Sequence, residues 1–191
     1  MPSKLDVVNQ VLGELGRFPV ASILNTDDAA QIISSRTDLL SLELLQRTDW
    51  NFAIEYFSST TPLAQSFSPD FLYSYALPFN YGKFDRTSPM YPNFGLYYRI
   101  VDGMICTNAN PISFYYVVNQ VDYSVITPLF ERALITYVAS DVCLVLTNNA
   151  QLEVYLKAKY DEKLNDALRS NDQERYIQST PYNDFDRMVY V

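Results

Sequence analysis

Two pairs of adjacent carboxylates, Asp27–Asp28 and Asp161–Glu162, and two thiols, Cys106 and Cys143, are the side chains from which this sequence could most readily build chemistry. Paired carboxylates act as acid and base or as acid and nucleophile when they face each other across a cleft. Neighbours on a helix point in different directions, so neither pair makes that arrangement by itself. Histidine is absent, which removes the commonest acid/base residue and the commonest metal ligand together. The cysteines stand alone among apolar or β-forming neighbours and read as buried free thiols of a reducing cytosol, without a paired metal motif. No phosphate-binding glycine loop, nucleophile elbow or His-Glu metalloprotease pattern occurs. Five glycines leave few places for the close backbone approach of a cofactor loop. The reading is therefore of a non-enzyme with no cofactor and no metal.

Charge bears on partners. Twenty-two acidic and 14 basic residues give a net charge of -8, and no run of Lys or Arg exceeds two. A grip on a phosphate backbone is disfavoured, and solubility is the simplest use of the excess. Asp141 interrupts an apolar helix face, either as a solvent-facing position or as a partner of Arg36 or Arg132. Glu153 and Lys157 form an i,i+4 pair that supports its helix. The start, Met-Pro-Ser-Lys-Leu-Asp, lacks the basic and apolar regions of a signal peptide, and no apolar run approaches a membrane span, so a cytoplasmic origin without a membrane is expected.

The elements that would position these groups are mostly helical. Thr127 as N-cap and Pro128 at the first helical position open a long helix with apolar residues from Phe130 to Leu146. Asn148-Asn149 breaks it, and Leu152, Tyr155, Leu156, Tyr160, Leu164 and Leu168 carry a second, which predicts an antiparallel helical hairpin. Ser3 with Asp6 opens a helix over about 3–15, stopped by Gly16 and Pro19. Asn25 or Thr26 caps another over about 26–48, with Asp27 and Asp28 in its first turn. The fold class is α+β: a four-helix bundle-like body from 1–49 and 127–178, an inserted antiparallel β region over 50–126, and an extension over 179–191.

Within the insertion, Trp50 to Phe57 reads as a strand and Phe71 to Pro78 as a short strand or turn. Residues 96–101, 104–108 and 112–118 read as a three-stranded meander joined at Asp102-Gly103 and at Asn108–Pro111. Between them, 79–95 reads as a long aromatic loop, which points to an ordered contact. Sixteen Tyr and eleven Phe suit both thick cores and interfaces. The subunit-interface candidates are Phe79, Tyr81, Phe84, Tyr91 and Phe94 of the loop, Tyr182, Phe185, Arg187 and Tyr190 of the extension, and Arg36 and Arg47 of the second helix. The arginines are candidates for ion pairs between subunits.

The order of these pieces resembles a known family. Val7-Val8-Asn9-Gln10-Val11-Leu12-Gly13-Glu14-Leu15-Gly16, then Pro19-Val20, the helix start Asp28-Ala29-Ala30 and its exit Arg47-Thr48-Asp49-Trp50-Asn51-Phe52 are similar to the head-to-tail adaptors of short-tailed bacteriophages, the tail tubular protein A family. Asp49 stands where a glycine is common. Tyr73-Ser74-Tyr75-Ala76-Leu77-Pro78, Phe130-Glu131-Arg132-Ala133-Leu134, Leu146-Thr147 and the stretch from Tyr160 to Ala167 extend the resemblance over about 5–170, although Asn80 replaces an acidic residue.

The resemblance implies a virion protein, about twelve copies of which form a dodecameric ring between the portal protein and the tail nozzle, a tail tubular B-like protein. DNA would pass through its channel without sequence-specific binding. The helices would form the ring body, the β region would face the tail, and the extension would reach the portal or a neighbouring copy. The alternatives are another neck or tail-completion protein of a phage, and a host-facing module that binds through the tyrosine-rich loop.

Overall fold

The computed structural model describes residues 2–24, 27–64, 66–85 and 98–178. The chain is α+β, with helices at both ends flanking a small antiparallel β region. It divides into two units: residues 1–44 with 122–191, and residues 45–121.

The first unit holds four helices, α1 (Lys4–Glu14), α2 (Asp28–Arg47, whose last turn falls in the second unit), α3 (Pro128–Thr147) and α4 (Ala150–Gln178). Each begins or ends for a local reason. Ser3 and Asp6 close a full capping box on α1, as their spacing predicts. The far end is a Schellman motif: the Arg17 N–H donates to Leu12 and the Gly16 N–H to Gly13, with Gly16 at a positive φ of 70°. Thr127 caps α3 by accepting the Phe130 N–H, Pro128 follows at the first position, and Asn148 ends the helix in the left-handed conformation. The cap of α2 differs from the expected one. Asp27 lies outside the helix and its Oδ1 accepts the Ala29 N–H at 2.9 Å, so it caps the helix instead of sitting in the first turn; Asn25 and Thr26 lie outside the described residues.

Helix α3 packs along α4 and against α1. Its buried residues include Phe130, Leu134, Val138, Val142 and Cys143, and they meet a core supplied by Val7, Val8, Val11 and Leu12 of α1, Ile33 and Leu44 of α2, and Leu156 of α4. Polar ties hold the helix edges: Lys4 to Asp38 at 2.7 Å, Lys159 to Glu14 at 2.7 Å, and the Tyr137 hydroxyl donating to Glu43 at 2.7 Å.

The second unit is two three-stranded antiparallel sheets. One has the order β1 (Ile54–Ser59), β6 (Ile112–Val118), β3 (Tyr81–Phe84); the other has the order β2 (Tyr73–Ala76), β5 (Met104–Thr107), β4 (Tyr98–Val101). Tyr75, Phe84, Ile105, Ile112, Phe114 and Tyr116, from both sheets, form one aromatic core. Three expectations are corrected here. Residues 51–53 are a short 3-10 turn, and the first strand starts only at Ile54. The three-stranded meander does not form. Asp102 and Gly103 turn β4 into β5 with both φ angles positive, but β5 already has β2 on its other side, so β6 has no free edge there and joins the other sheet.

The third correction concerns the aromatic loop. Residues 81–84 are strand β3, which takes the second edge of β6; residues 86–97 lie outside the described residues. Tyr81 and Phe84 are three apart, a spacing that a regular strand would send to opposite faces. The register slips by one between Tyr81 and Lys83, a β-bulge at Gly82, and this brings both rings to the core. A Cβ on Gly82 would lie 2.8 Å from the Val117 carbonyl oxygen, so the close strand approach requires glycine.

Candidate assembly surface

The residues that stand out in the helical unit are apolar and exposed. Leu144 and Val145 follow Asp141 by three and four residues on α3, and Val154 precedes Lys157 by three on α4, so each set shares a helix face. Asp141 links the two sets: its charge helps to raise the pKa of Lys157, after the larger effect of the hydrogen bond to Glu153. The Arg36 side chain reaches Asp141 across 3.4 Å, and on α2 Ile32 and Leu39 lie four before and three after Arg36. Exposed apolar residues thus flank the Arg36–Asp141 pair on α2, at Ile32 and Leu39, and on α3, at Leu144 and Val145, and Val154 stands beside the Glu153–Lys157 pair on α4. Val145 is 76% exposed, Val154 69% and Leu39 55%. Single exposed apolar residues need no explanation, but a group of them beside charged pairs is the signature of a contact surface. Its ion pairs are themselves partly exposed and orient the helix edges more than they stabilise the fold.

Helix α2 is seated from its other side. Tyr123 lies near Asp38 and Ser41, and its hydroxyl is pushed up to about 12, first by burial and then by the Asp38 charge. In the connection after α1, the Asn9 side chain accepts the Val20 N–H at 2.8 Å and donates to the Val20 carbonyl at 3.1 Å. These are residues of the motif on which the resemblance rests, and their role in this chain is to fold the turn back on α1.

In the β unit a cleft of about 720 Å³ brings together three of the sequence-selected positions, Arg47, Tyr81 and Phe84. Lys83 crosses it, paired to Asp49 at 2.7 Å and donating to the Gln46 carbonyl at the end of α2. Phe84 contributes mainly to the core, at 9% exposure, where its ring meets Phe114 and Tyr98 edge to face. Phe79, by contrast, is 92% exposed. Arg36 sits in the helical unit and pairs within its own chain. Tyr91, Phe94, Tyr182, Phe185, Arg187 and Tyr190 lie outside the described residues. The apolar pattern from Phe130 to Leu146 does not separate buried from exposed positions: Leu144 belongs to it, yet it is exposed, as are its neighbour Val145 and, on α4, Val154 and Tyr155.

The Tyr116 hydroxyl donates to Glu55 at 2.6 Å and lies 2.9 Å from the Asn80 carbonyl oxygen, while the Asn80 amide donates to the same Glu55 oxygen. A phenol has one proton, so its donor is committed to Glu55. Burial and this carboxylate push Tyr116 up to about 12. The arrangement keeps the phenol neutral into alkaline pH, as a structural tie between β1 and β6.

Among the described residues, no group of three or more Cys, Asp or Glu is placed to hold a metal ion, and no helix is long and apolar enough to cross a membrane. Cys106 and Cys143 are both buried free thiols. Compared with models of protein families and with curated protein sequences, the chain matches none.

Proposed function

We propose that this chain is a structural subunit of a multi-copy assembly, specifically of the ring that connects the portal to the tail nozzle in a short-tailed bacteriophage virion. The observation that carries the assembly reading is the set of exposed apolar residues on α2, α3 and α4, with Val145 and Val154 largely exposed beside the Arg36–Asp141 and Glu153–Lys157 pairs. A ring of identical chains needs two different complementary faces, and exposed apolar residues beside charged pairs suit one of them. The resemblance of the motifs at Val7–Val20, Arg47–Phe52 and Tyr160–Ala167 supplies the kind of ring. An acidic chain with a net charge of -8 suits a channel along which DNA passes without adhering. About twelve copies would then surround the channel, as in the family that the motifs resemble.

The test is direct. Purified chain mixed with purified portal of the same virion, at near-physiological salt, yields a stoichiometric ring complex visible by mass photometry and electron microscopy. Binding to a tail tube or terminator with no binding to portal overturns the connector assignment and leaves a different neck or tail protein. Binding of the isolated chain to a host glycan or surface protein, with no assembly, replaces both.

A further inference from the structure

We propose that residues 66–72 form a strap that opens on its own, and that Cys106 beneath it is a gated thiol, reactive only in the open state. Ser74 of β2, Cys106 of β5 and Arg99 of β4 stand opposite one another in register and make one row across their sheet. In the next row Tyr75 and Ile105 belong to the aromatic core, so alternation turns the row of Cys106 to the opposite face. The strap touches both ends of that row. The Phe67 N–H donates to the Ser74 hydroxyl at 2.9 Å, and Asp70 meets Arg99 at 3.3 Å. Between them Cys106 is fully buried, its Sγ 3.2 Å from the Ser74 Oγ, although it lies on the face turned away from the core.

What holds the strap is polar and slight. The Leu72 N–H donates to Asn108 Oδ1 at 2.9 Å, and the Asp70–Arg99 pair is exposed at both ends, where an ion pair contributes little. Phe67, Pro69, Phe71 and Leu72 are exposed or half-buried, so no apolar side chain of the strap is buried. The one buried member is Ser68, and its hydroxyl has no hydrogen-bond partner among the described residues. A buried hydroxyl left unpaired favours the open state, where water solvates it. Ser66 donates to the Phe71 carbonyl at 2.7 Å, which ties the strap to itself so that it moves as one piece. A segment with few buried apolar contacts opens at a lower free energy than the sheet beneath it unfolds. Once it is open, the Cys106 thiolate attacks a small disulfide: the disulfide bond breaks, a mixed disulfide forms on Sγ, the thiol proton passes to solvent and the second half leaves as a thiolate. The adduct fills the strap's seat and holds the strap open. Cys143, buried on α3 in the other unit, is an internal reference for the same reaction.

The experiment treats the full chain with dithiobis(nitrobenzoate), follows each thiol by peptide mass, and repeats the reaction in urea below the unfolding transition. Cys106 is expected to label roughly tenfold faster than Cys143 or more, at a rate nearly independent of urea because the opening exposes little surface. Asn108→Ala, which removes the acceptor of the Leu72 N–H, speeds Cys106 roughly fivefold, and Ser68→Ala, which removes the unpaired hydroxyl, slows it by about as much. Cys143 keeps its rate in both variants. After labelling, the Phe67 and Leu72 amides exchange hydrogen faster while those of β5 keep their protection. Cys106 labelling as fast as a free thiol, labelling that rises with urea as steeply as the sheet is lost, or variants that do not move the rate in opposite directions overturn the proposal. If Asn108→Ala loses the sheet, the direction of the Ser68→Ala effect decides alone.

Discussion

Phe84 of β3 and Tyr98 of β4 meet edge to face with ring centroids 4.8 Å apart, although their strands belong to different sheets. The contact closes the aromatic core where the two sheets face each other, and Phe114 completes it at 5.0 Å from Phe84. Phe84→Ala is therefore expected to cost about 3–5 kcal/mol in urea denaturation, the range for removing a buried ring. Phe79→Ala, five residues earlier and almost fully exposed, changes stability by less than about 0.5 kcal/mol. Equal losses from the two variants would contradict the placement of β3.

Gly82 makes the bulge that turns both Tyr81 and Phe84 inward. Gly82→Ala forces a methyl group against the Val117 carbonyl, where the neighbour is backbone and cannot swing aside. A loss of about 1–3 kcal/mol is expected, with the helical signal unchanged. A thermal midpoint equal to that of the parent chain would show that the strands are not so close.

Tyr116 gives a pH signature. Its folded-state pKa is raised to about 12, above the ordinary value of 10.0, so its contribution to stability is complete below pH 10 and is lost as the pH rises toward 12. Ring-carbon NMR of labelled tyrosine would follow the ionisation. Glu55→Gln should lower the midpoint yet leave it above 10.0, because burial is the larger cause. A midpoint unchanged by the substitution would exclude the role assigned to Glu55.

Asn9→Ala removes both hydrogen bonds to Val20 and leaves two backbone groups of a half-buried turn without their partner. About 1–3 kcal/mol of destabilisation is expected, together with faster hydrogen exchange at the Val20 amide. Protection of that amide at the parent level would count against the tie.

The assembly face is separable from the fold. Leu39→Glu or Val145→Glu replaces an exposed residue, so denaturation midpoints should move by no more than the equivalent of about 0.5 kcal/mol. Formation of the portal complex should fall at least tenfold in mass photometry. Full complex formation by both variants would place the contact elsewhere.

Local features were legible in the sequence and distant pairings were not. Ser3 with Asp6, Thr127 with Pro128, Asn148, and Asp102-Gly103 each act within a few residues, and each does what its chemistry predicts. Both thiols, isolated among apolar neighbours, are buried. The aromatic stretch after Pro78 misled because a bulge breaks the two-residue period by which a strand is recognised. Gly82 is the local sign of it, and the close approach that requires glycine is to the Val117 carbonyl on β6.

By itself, then, the sequence determined the caps of α1 and α3, the hairpin turn at Asp102-Gly103, and the absence of histidine. Tertiary structure alone decided the rest. The partner of β6 depends on which edge β5 has left free, and the charged edge of the exposed apolar positions depends on Asp141 of α3 reaching Arg36 of α2 across 3.4 Å. Those are relations between residues tens of positions apart, set by which surfaces remain unpaired after the local elements form, and no local pattern encodes them.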